Sequence, residues 1–270
     1  MKITILTMFP QLFEGFLQAP VVQRAIRKEV LELEITDIKE FAPGSFRHID
    51  DSPFGGGAGM VMRCQPVLDA LRHVKGEAAR AEEEEPSEMS ACVNGIEAGD
   101  TELQAGAMPA LSVALSPAGS VFCQATARRY SGLGHLILVC GHYEGMDERI
   151  YRHIDEELSI GDYILTGGEI AAMAVADAVI RLLPGAIRNE STQEESFEDG
   201  LLEYPQYTQP AVFEGEAVPD VLLSGNHERI RKWRLKESLR RTLERRPDLL
   251  AGRDLTHEEE AMLRELKEES

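Results

Sequence analysis

Two glycine-rich turns, each following an apolar run, are the segments of this sequence best able to hold a ligand. They are Val139-Cys140-Gly141-His142-Tyr143-Glu144-Gly145 and Ser159-Ile160-Gly161-Asp162-Tyr163-Ile164-Leu165-Thr166-Gly167-Gly168. Ligands of open α/β sheets bind where loops leave the carboxyl ends of strands, and glycine lets backbone amides and carbonyls approach a ligand such as adenosine closely. Neither turn is a Gly-x-Gly-x-x-Gly or a Walker loop, so a dinucleotide site of the Rossmann kind is not expected. Singly, each turn reads as an ordinary connection; together they suggest a ligand site. Phe54-Gly55-Gly56-Gly57-Ala58-Gly59-Met60 is denser in glycine and follows Arg47-His48 and Asp50-Asp51 rather than a strand. It reads either as a flexible solvent loop or as a loop that approaches a substrate. Cys64, Cys92, Cys123 and Cys140 are scattered without a Cys-x-x-Cys pair, and the histidines lack zinc spacing, so free thiols and no structural metal are expected.

The elements that must position these turns alternate between strand and helix. Ile3 to Thr7 reads as a buried strand ended by Phe9-Pro10, Leu12 to Lys28 as a helix, and Leu31 to Asp37 as a half-buried strand leading into a loop over 42–60. Val67, Leu68, Leu71 and Val74 stand at helical spacing. Leu111 to Leu115 and Leu136 to Cys140 are short continuous apolar runs, the pattern of strands buried on both faces of a parallel sheet. Ala125 to Tyr130 can be helical between them, Ile164 to Leu165 reads as a further short strand, and Glu169 to Leu182 as a helix stopped by Pro184-Gly185. This alternation predicts an α/β domain with a parallel sheet over residues 1–187. A polar linker over 188–200 and a helical, charged domain over 201–270 follow. No apolar stretch is long enough to span a bilayer, and the N-terminus lacks a signal-peptide pattern, so a cytoplasmic protein is expected.

The net charge of −19 speaks against a polyphosphate partner, yet the charge is segregated. Residues 77–109 form an acidic insertion poor in apolar periodicity, including the run Glu82 to Glu85, and this segment reads as a surface loop without chemistry. Conversely, Arg229, Arg231, Lys232, Arg234, Lys236, Arg240, Arg241, Arg245 and Arg246 cluster near the C-terminus. That cluster suits phosphate contacts, or else the solvated face of an amphipathic helix with Trp233, Leu235 and Leu239 turned to a core.

Four phrases in order, Ile49 to Met60, Cys140 to Arg149, Ser159 to Glu169 and Leu222 to His227, resemble the bacterial tRNA (guanine-N1)-methyltransferases. The similarity runs from Met1 to about residue 260, interrupted mainly by the acidic insertion. It implies a trefoil-knotted α/β methyltransferase domain of the SPOUT type with a small helical C-terminal domain, an exception to the rule that chains avoid threading loops. It implies S-adenosylmethionine as cofactor, tRNA as substrate, a homodimer with active sites shared between chains, and suggests Mg²⁺ as an assisting ion. The target would be N1 of the guanosine at position 37, immediately 3′ of the anticodon.

Carried over residue by residue, the resemblance puts Leu115, Ser116 and Pro117 with Gly141, Tyr143, Glu144 and Gly145 on one side of the cofactor. Ser159, Ile160, Gly161, Asp162, Tyr163, Ile164 and Leu165, with Gly167 and Gly168, close the other. Asp50, Gly57, Gly59, Arg240 and Arg241 would meet the tRNA. Guanine N1 must lose its proton to become a nucleophile, which calls for a carboxylate base, and the charge that develops on O6 calls for a fixed cation. Arg181 resembles the family's arginine for the second role; its spacing alone would read as a helix-end cation. For the base, the family commonly has Asp in an Asp-Ser-Phe phrase, whereas this sequence has Glu195-Ser196-Phe197, with Asp199 nearby as the fallback. The extra methylene changes the reach by roughly 1 Å, which a mobile linker can absorb. Ala58 replaces a common proline and Ala114 a common aromatic; neither removes a reacting group. Two other readings compete: a knotted methyltransferase acting on a ribose 2′-hydroxyl or on ribosomal RNA, and a noncatalytic RNA-binding relative. The linker carboxylate and triple-glycine loop speak against the first, the cofactor turns with Arg181 against the second.

Overall fold

The computed structural model describes residues 1–76, 110–187 and 195–269. The acidic insertion over 77–109 and the linker residues 188–194 lie outside the described residues. The chain divides into two compact units, residues 1–187 and 188–270, which are treated separately below.

The first unit is built on five parallel strands: β1 (Lys2–Thr7), β2 (Glu32–Asp37), and, beyond the short antiparallel pair β3 (Asp50–Asp51) and β4 (Val61–Met62), β5 (Ala110–Val121), β6 (His135–Cys140) and β7 (Glu156–Ser159). Their order across the sheet is β2-β1-β6-β5-β7. The central strands β1 and β6 are buried almost throughout, β6 by a continuous apolar run and β1 by Ile and Leu interspersed with buried threonines, as helices covering both faces require. The strand period of two sorts their side chains. Ile3, Ile5, Leu136 and Leu138 pack in one core with Val175 and Val179 of α6 (Glu169–Ile180). Leu6, Ile137 and Val139 pack in the other with Val67 and Leu71 of α3 (Cys64–Lys75). Helix α3 ends at Gly76, whose φ of 73° is the left-handed closure that only glycine adopts without cost.

Three local expectations are corrected. Leu12 to Lys28 is not one helix: a 3-10 turn (Pro10–Phe13), α1 (Glu14–Leu17) and α2 (Pro20–Arg27) follow one another. Pro20 has no N–H to donate to α1, and its fixed φ suits the first turn of a new helix. Ile164–Leu165 is not a strand. The edge strand is instead β7, whose leading Glu156 hides it from an apolar scan. That carboxylate is satisfied by Arg129, at 2.7 Å to both oxygens, and by the Tyr130 hydroxyl at 2.8 Å, both on α4 (Gln124–Ser131). Finally, β5 outruns the expected Leu111 to Leu115. Leu158 of β7 pairs with both Leu115 and Ser120, so residues 116–119 bulge out of the sheet. Pro117 cannot donate to the ladder there, and a Cβ on Gly119 would collide with the Leu158 backbone. This bulge opens the sheet at the site described next. A short α5 (Glu148–Tyr151) precedes β7.

The second unit holds a two-strand hairpin, β8 (Val212–Phe213) with β9 (Glu216–Ala217), then α7 (Asp220–Leu223), α8 (His227–Arg245), α9 (Asp248–Ala251) and α10 (His257–Glu269). Leu201, Leu239, Leu263 and Leu266 form its small core. Helix α10 opens on a capping box: Thr256 Oγ1 accepts from Glu259 N at 3.3 Å, and the Glu259 carboxylate accepts from Thr256 N at 2.8 Å. No helix among the described residues is long and apolar enough to cross a membrane.

Candidate active site

At the carboxyl ends of β5, β6 and β7 the first unit encloses a cavity of about 330 Å³. Three segments wall it. The β5 bulge contributes Leu115, Ser116 and Pro117. The turn after β6 contributes Gly141 to Gly145, and the turn after β7 runs from Ser159 up to Gly168 at the start of α6. Every cofactor residue expected from the sequence lines it except Asp162, which is exposed on the outer side of its turn. Gly161, at φ 142°, swings the chain so that Tyr163 folds back and donates to Ile160 O at 3.3 Å. Sequence reasoning missed His142, Tyr151, Leu158, Thr166 and Ala171. Leu158 was hidden with its strand, while Ala171 stands one helical turn beyond Gly168 and could have been found by that spacing.

The two glycine turns are locked together. Gly168 N donates to Gly141 O at 2.8 Å, and a Cβ at Gly168 would stand 2.8 Å from Cys140 Cα. His142 and Gly167 form an antiparallel bridge across the same seam. The wall therefore exists only because position 168 has no side chain.

The third glycine loop joins the cavity from the side. Glu144 N donates to Met60 O at 3.1 Å, Met62 N to Gly145 O at 2.9 Å and Asp147 N to Met62 O at 3.0 Å, so β4 runs beside the turn after β6. A Cβ at Gly59, which has φ 86°, would collide with the Glu144 side chain. The loop from Phe54 to Gly59 is itself exposed to solvent, and only its end, from Gly59 to Met62, runs beside the cavity turn. Asp50 also reaches this rim: burial first, and the neighbouring Asp50 carboxylate second, push the Tyr143 phenol above its ordinary pKa. Tyr143 itself holds φ 60°, a conformation that a non-glycine residue adopts at a cost of order 1 kcal/mol and keeps where its surroundings fix it.

Arg181 does not line this cavity. It caps the C-terminal end of α6, half-buried, with its N–H on Asp177 O at 3.1 Å. At a rise of about 1.5 Å per residue, the helix carries it roughly 18 Å from the Gly168 end, well beyond the span of its own side chain. In the second unit, Glu195 and Asp199 share a concavity of about 460 Å³ with Glu203, His227, Arg231 and Arg234. Asp199 accepts from Leu201 N at 3.1 Å. The two cations expected to meet phosphate are already engaged within that unit. Arg240 stands 3.4 Å from Glu237 and 3.3 Å from Glu269, and Arg241 donates to Glu203 O at 3.0 Å.

A family model described as tRNA (Guanine-1)-methyltransferase TrmD matches residues 1–252. Among curated proteins, the chain is 47% identical over 267 residues to a tRNA (guanine-N(1)-)-methyltransferase of Heliobacterium modesticaldum, covering 98% of this chain and 90% of that one. It is 44% identical to the protein of the same description from Dictyoglomus turgidum, over 100% and 98% of the two chains. It is 45% identical to that of Bacillus cereus strain G9842, over 100% of both.

Proposed function

The chain belongs to the tRNA (guanine-1)-methyltransferase family, and from that membership we propose that it methylates N1 of the guanosine at position 37 of tRNA, using S-adenosylmethionine bound in the cavity of residues 1–187. The observation that carries the reading is the gathering of the three turns around one 330 Å³ cavity at the ends of β5, β6 and β7. The lining suits a nucleoside. Gly167 and Gly168 bring bare backbone to the wall, the turn from Ile160 to Leu165 offers backbone donors and acceptors to an adenine edge, and Glu144 offers a carboxylate to ribose hydroxyls. The bound cofactor supplies the methyl group as an electrophile on a sulfonium. A trefoil knot through these turns belongs to the same reading, with residues 188–200 as an active-site linker and 201–270 as the tRNA-binding domain.

The chain's own groups have two tasks in the transfer. Glu195 takes the proton from guanine N1, leaving a nucleophilic lone pair, and the Arg181 guanidinium donates to O6 as negative charge moves onto it. The target base reaches them by leaving its stack. Asp50, Gly57 and Gly59 at the rim steer it, while Arg240 and Arg241 exchange their present partners for phosphates. Since Arg181 stands roughly 18 Å along α6 from the Gly168 wall, the Arg181 that serves a cavity comes from a second copy, which makes the working unit a homodimer. An assisting Mg²⁺ belongs to the same reading by the family resemblance alone; among the described residues no group of His, Cys, Asp and Glu side chains stands ready to hold a metal ion. A cytoplasmic location follows from the substrate.

Transfer of labelled methyl to unmodified tRNA tests the reading, with wild type compared with Glu195→Gln and Glu195→Asp. Activity lost in Gln and kept in Asp supports Glu195 as the base; unaffected Gln moves the role to Asp199. Arg181→Ala is expected to lose transfer while keeping cofactor affinity. Mixing it with an inactive cavity variant should restore roughly a quarter of wild-type activity, because half the dimers are mixed and each of those has one intact site. No recovery on mixing would refute the shared site.

A further inference from the structure

Among the described residues of the first unit, Glu169 is the one carboxylate buried at the back of the cavity wall, and the proposed reaction does not use it. It is 3% exposed, at the first position of α6. Among the described residues no cation pairs with it. Its carboxyl group sits instead at the N-terminus of a twelve-residue helix and accepts from one hydroxyl, Thr7 Oγ1, at 2.9 Å to Oε1. Thr7 Oγ1 also accepts from Phe9 N at 2.9 Å, so the hydroxyl proton is directed to the carboxylate. The second oxygen, Oε2, lies against Gly167, where an added Cβ would strike both it and the His142 ring. The His142 ring in turn packs on Phe9, at 5.0 Å between centroids. A closed circuit results, from Phe9 through Thr7, Glu169, Gly167 and His142 back to Phe9. It ties the ends of β1 and β6 to the start of α6.

We propose that Glu169 is a positioning residue for the cofactor: through Thr7 and Gly167 it holds the Thr166–Gly168 wall against the end of β6 before the ligand arrives. The inference rests on the reading of this cavity as the S-adenosylmethionine site. A core carboxyl group without a cation beside it is costly, and an apolar side chain would fill the same space at less cost. Its position explains its presence, because the wall it braces is the stretch where backbone must meet the ligand. The Cys140 thiol, across the same seam, is pushed well above its ordinary pKa by burial first and by Glu169 second.

The test is calorimetric titration of S-adenosylmethionine into full-length wild type, Glu169→Ala, Glu169→Gln, Thr7→Val and the Thr7→Val/Glu169→Ala double variant, with kcat at saturating cofactor and the melting temperature of each. Removing the buried acceptor is expected to weaken binding about 10- to 100-fold in Glu169→Ala. Thr7→Val should shift it the same way by less, and the double variant should bind no worse than Glu169→Ala, because both act through one bond. At saturation kcat should stay near wild type. A folded Glu169 variant with unchanged affinity, or one that loses kcat instead, overturns the proposal. If Glu169→Ala does not fold, Glu169→Gln and Thr7→Val decide by the same criteria. Wild type that fails to bind S-adenosylmethionine would instead bring down the reading of the cavity, and the inference with it.

Discussion

Adding a single methyl group at Gly168 should damage the first unit and its cavity together. In Gly168→Ala the new Cβ would stand 2.8 Å from Cys140 Cα, 3.1 Å from Gly141 N and 3.2 Å from Cys140 Cβ. Carbon atoms rest at roughly 3.5–4.0 Å, so the two backbones must part by about 1 Å. Neither contact is the end of a flexible side chain that could turn away. Overpacking of this kind costs about 1–3 kcal/mol, and the Gly168 N to Gly141 O bond of 2.8 Å, if it opens, adds about 1 kcal/mol. For a unit of this size each kcal/mol lowers the melting temperature by about 2–4 °C, so a fall of about 5–15 °C is expected. The same displacement separates two walls of the cavity, and S-adenosylmethionine affinity should fall with stability. Thermal unfolding followed by circular dichroism, with and without cofactor, measures both. Gly15→Ala is the control: nothing lies within 4 Å of its added Cβ, and alanine in α1 should be neutral or slightly stabilising. A Gly168→Ala protein that melts with wild type and binds cofactor equally well would refute the packing of this seam.

Gly59→Ala, at φ 86° and against Glu144, should weaken cofactor and tRNA binding together, read as a rise in both KM values; unchanged constants would detach the glycine loop from the cavity. Reversing Arg240 and Arg241 to Glu should weaken tRNA binding and make its salt dependence shallower, and an unchanged slope in a filter-binding series would reject this docking face. The third prediction concerns acid. The bond from Arg129, and after it that from the Tyr130 hydroxyl, hold the folded-state pKa of Glu156 below the ordinary carboxylate value against the opposing effect of burial. A lowered folded pKa means stability that is present above the unfolded value and lost as pH falls through the folded one. Urea midpoints taken from neutral pH downward should show Glu156→Gln losing part of the wild type's decline on the acid side. Parallel curves would leave Glu156 without that role.

The strands buried on both faces were legible because burial leaves them little else to be: β5 begins and β6 stands where the short apolar runs Leu111 to Leu115 and Leu136 to Cys140 lie, and β1 covers the expected Ile3 to Thr7. Strand β7 was not legible. Its first residues are Glu156 and Glu157, and only the fold brings Arg129 and Tyr130 opposite to make Glu156 tolerable there. The cavity turns were recognisable as phrases, yet their geometry depends on contacts between residues far apart in sequence. Gly168 must be glycine because of the Cys140 backbone, whereas Gly59 favours glycine through its φ of 86° and lies against the Glu144 side chain. Glu169 shows the limit most clearly. In sequence it is an ordinary acidic residue opening a helix, and its partner Thr7 lies 162 positions away.

Charge is the other property that the sequence overstated. The basic run of α8 suggested a free positive surface in a chain of net charge −19. In the second unit those cations face carboxylates of α8 itself and of the helices that follow: Arg231 meets Glu228 and Glu258, Lys236 meets Glu265 and Glu269, Arg240 meets Glu237 and Glu269, and Arg246 meets Asp248. Exposed pairs of this kind contribute at most about 1 kcal/mol each, so a phosphate can displace a carboxylate at small cost. The displaced carboxylate is left to gather a counterion of its own. Exchange of partners then alters the net ion release that gives RNA binding its salt dependence, and the slope for this protein should be shallower than the number of cations on α8 implies. On the proposed reading of this unit as the tRNA-binding domain, a basic helix masked by its own acidic neighbours would hold RNA through the geometry of several exchanges at once, and would offer little to a polyanion that fits only one or two of them.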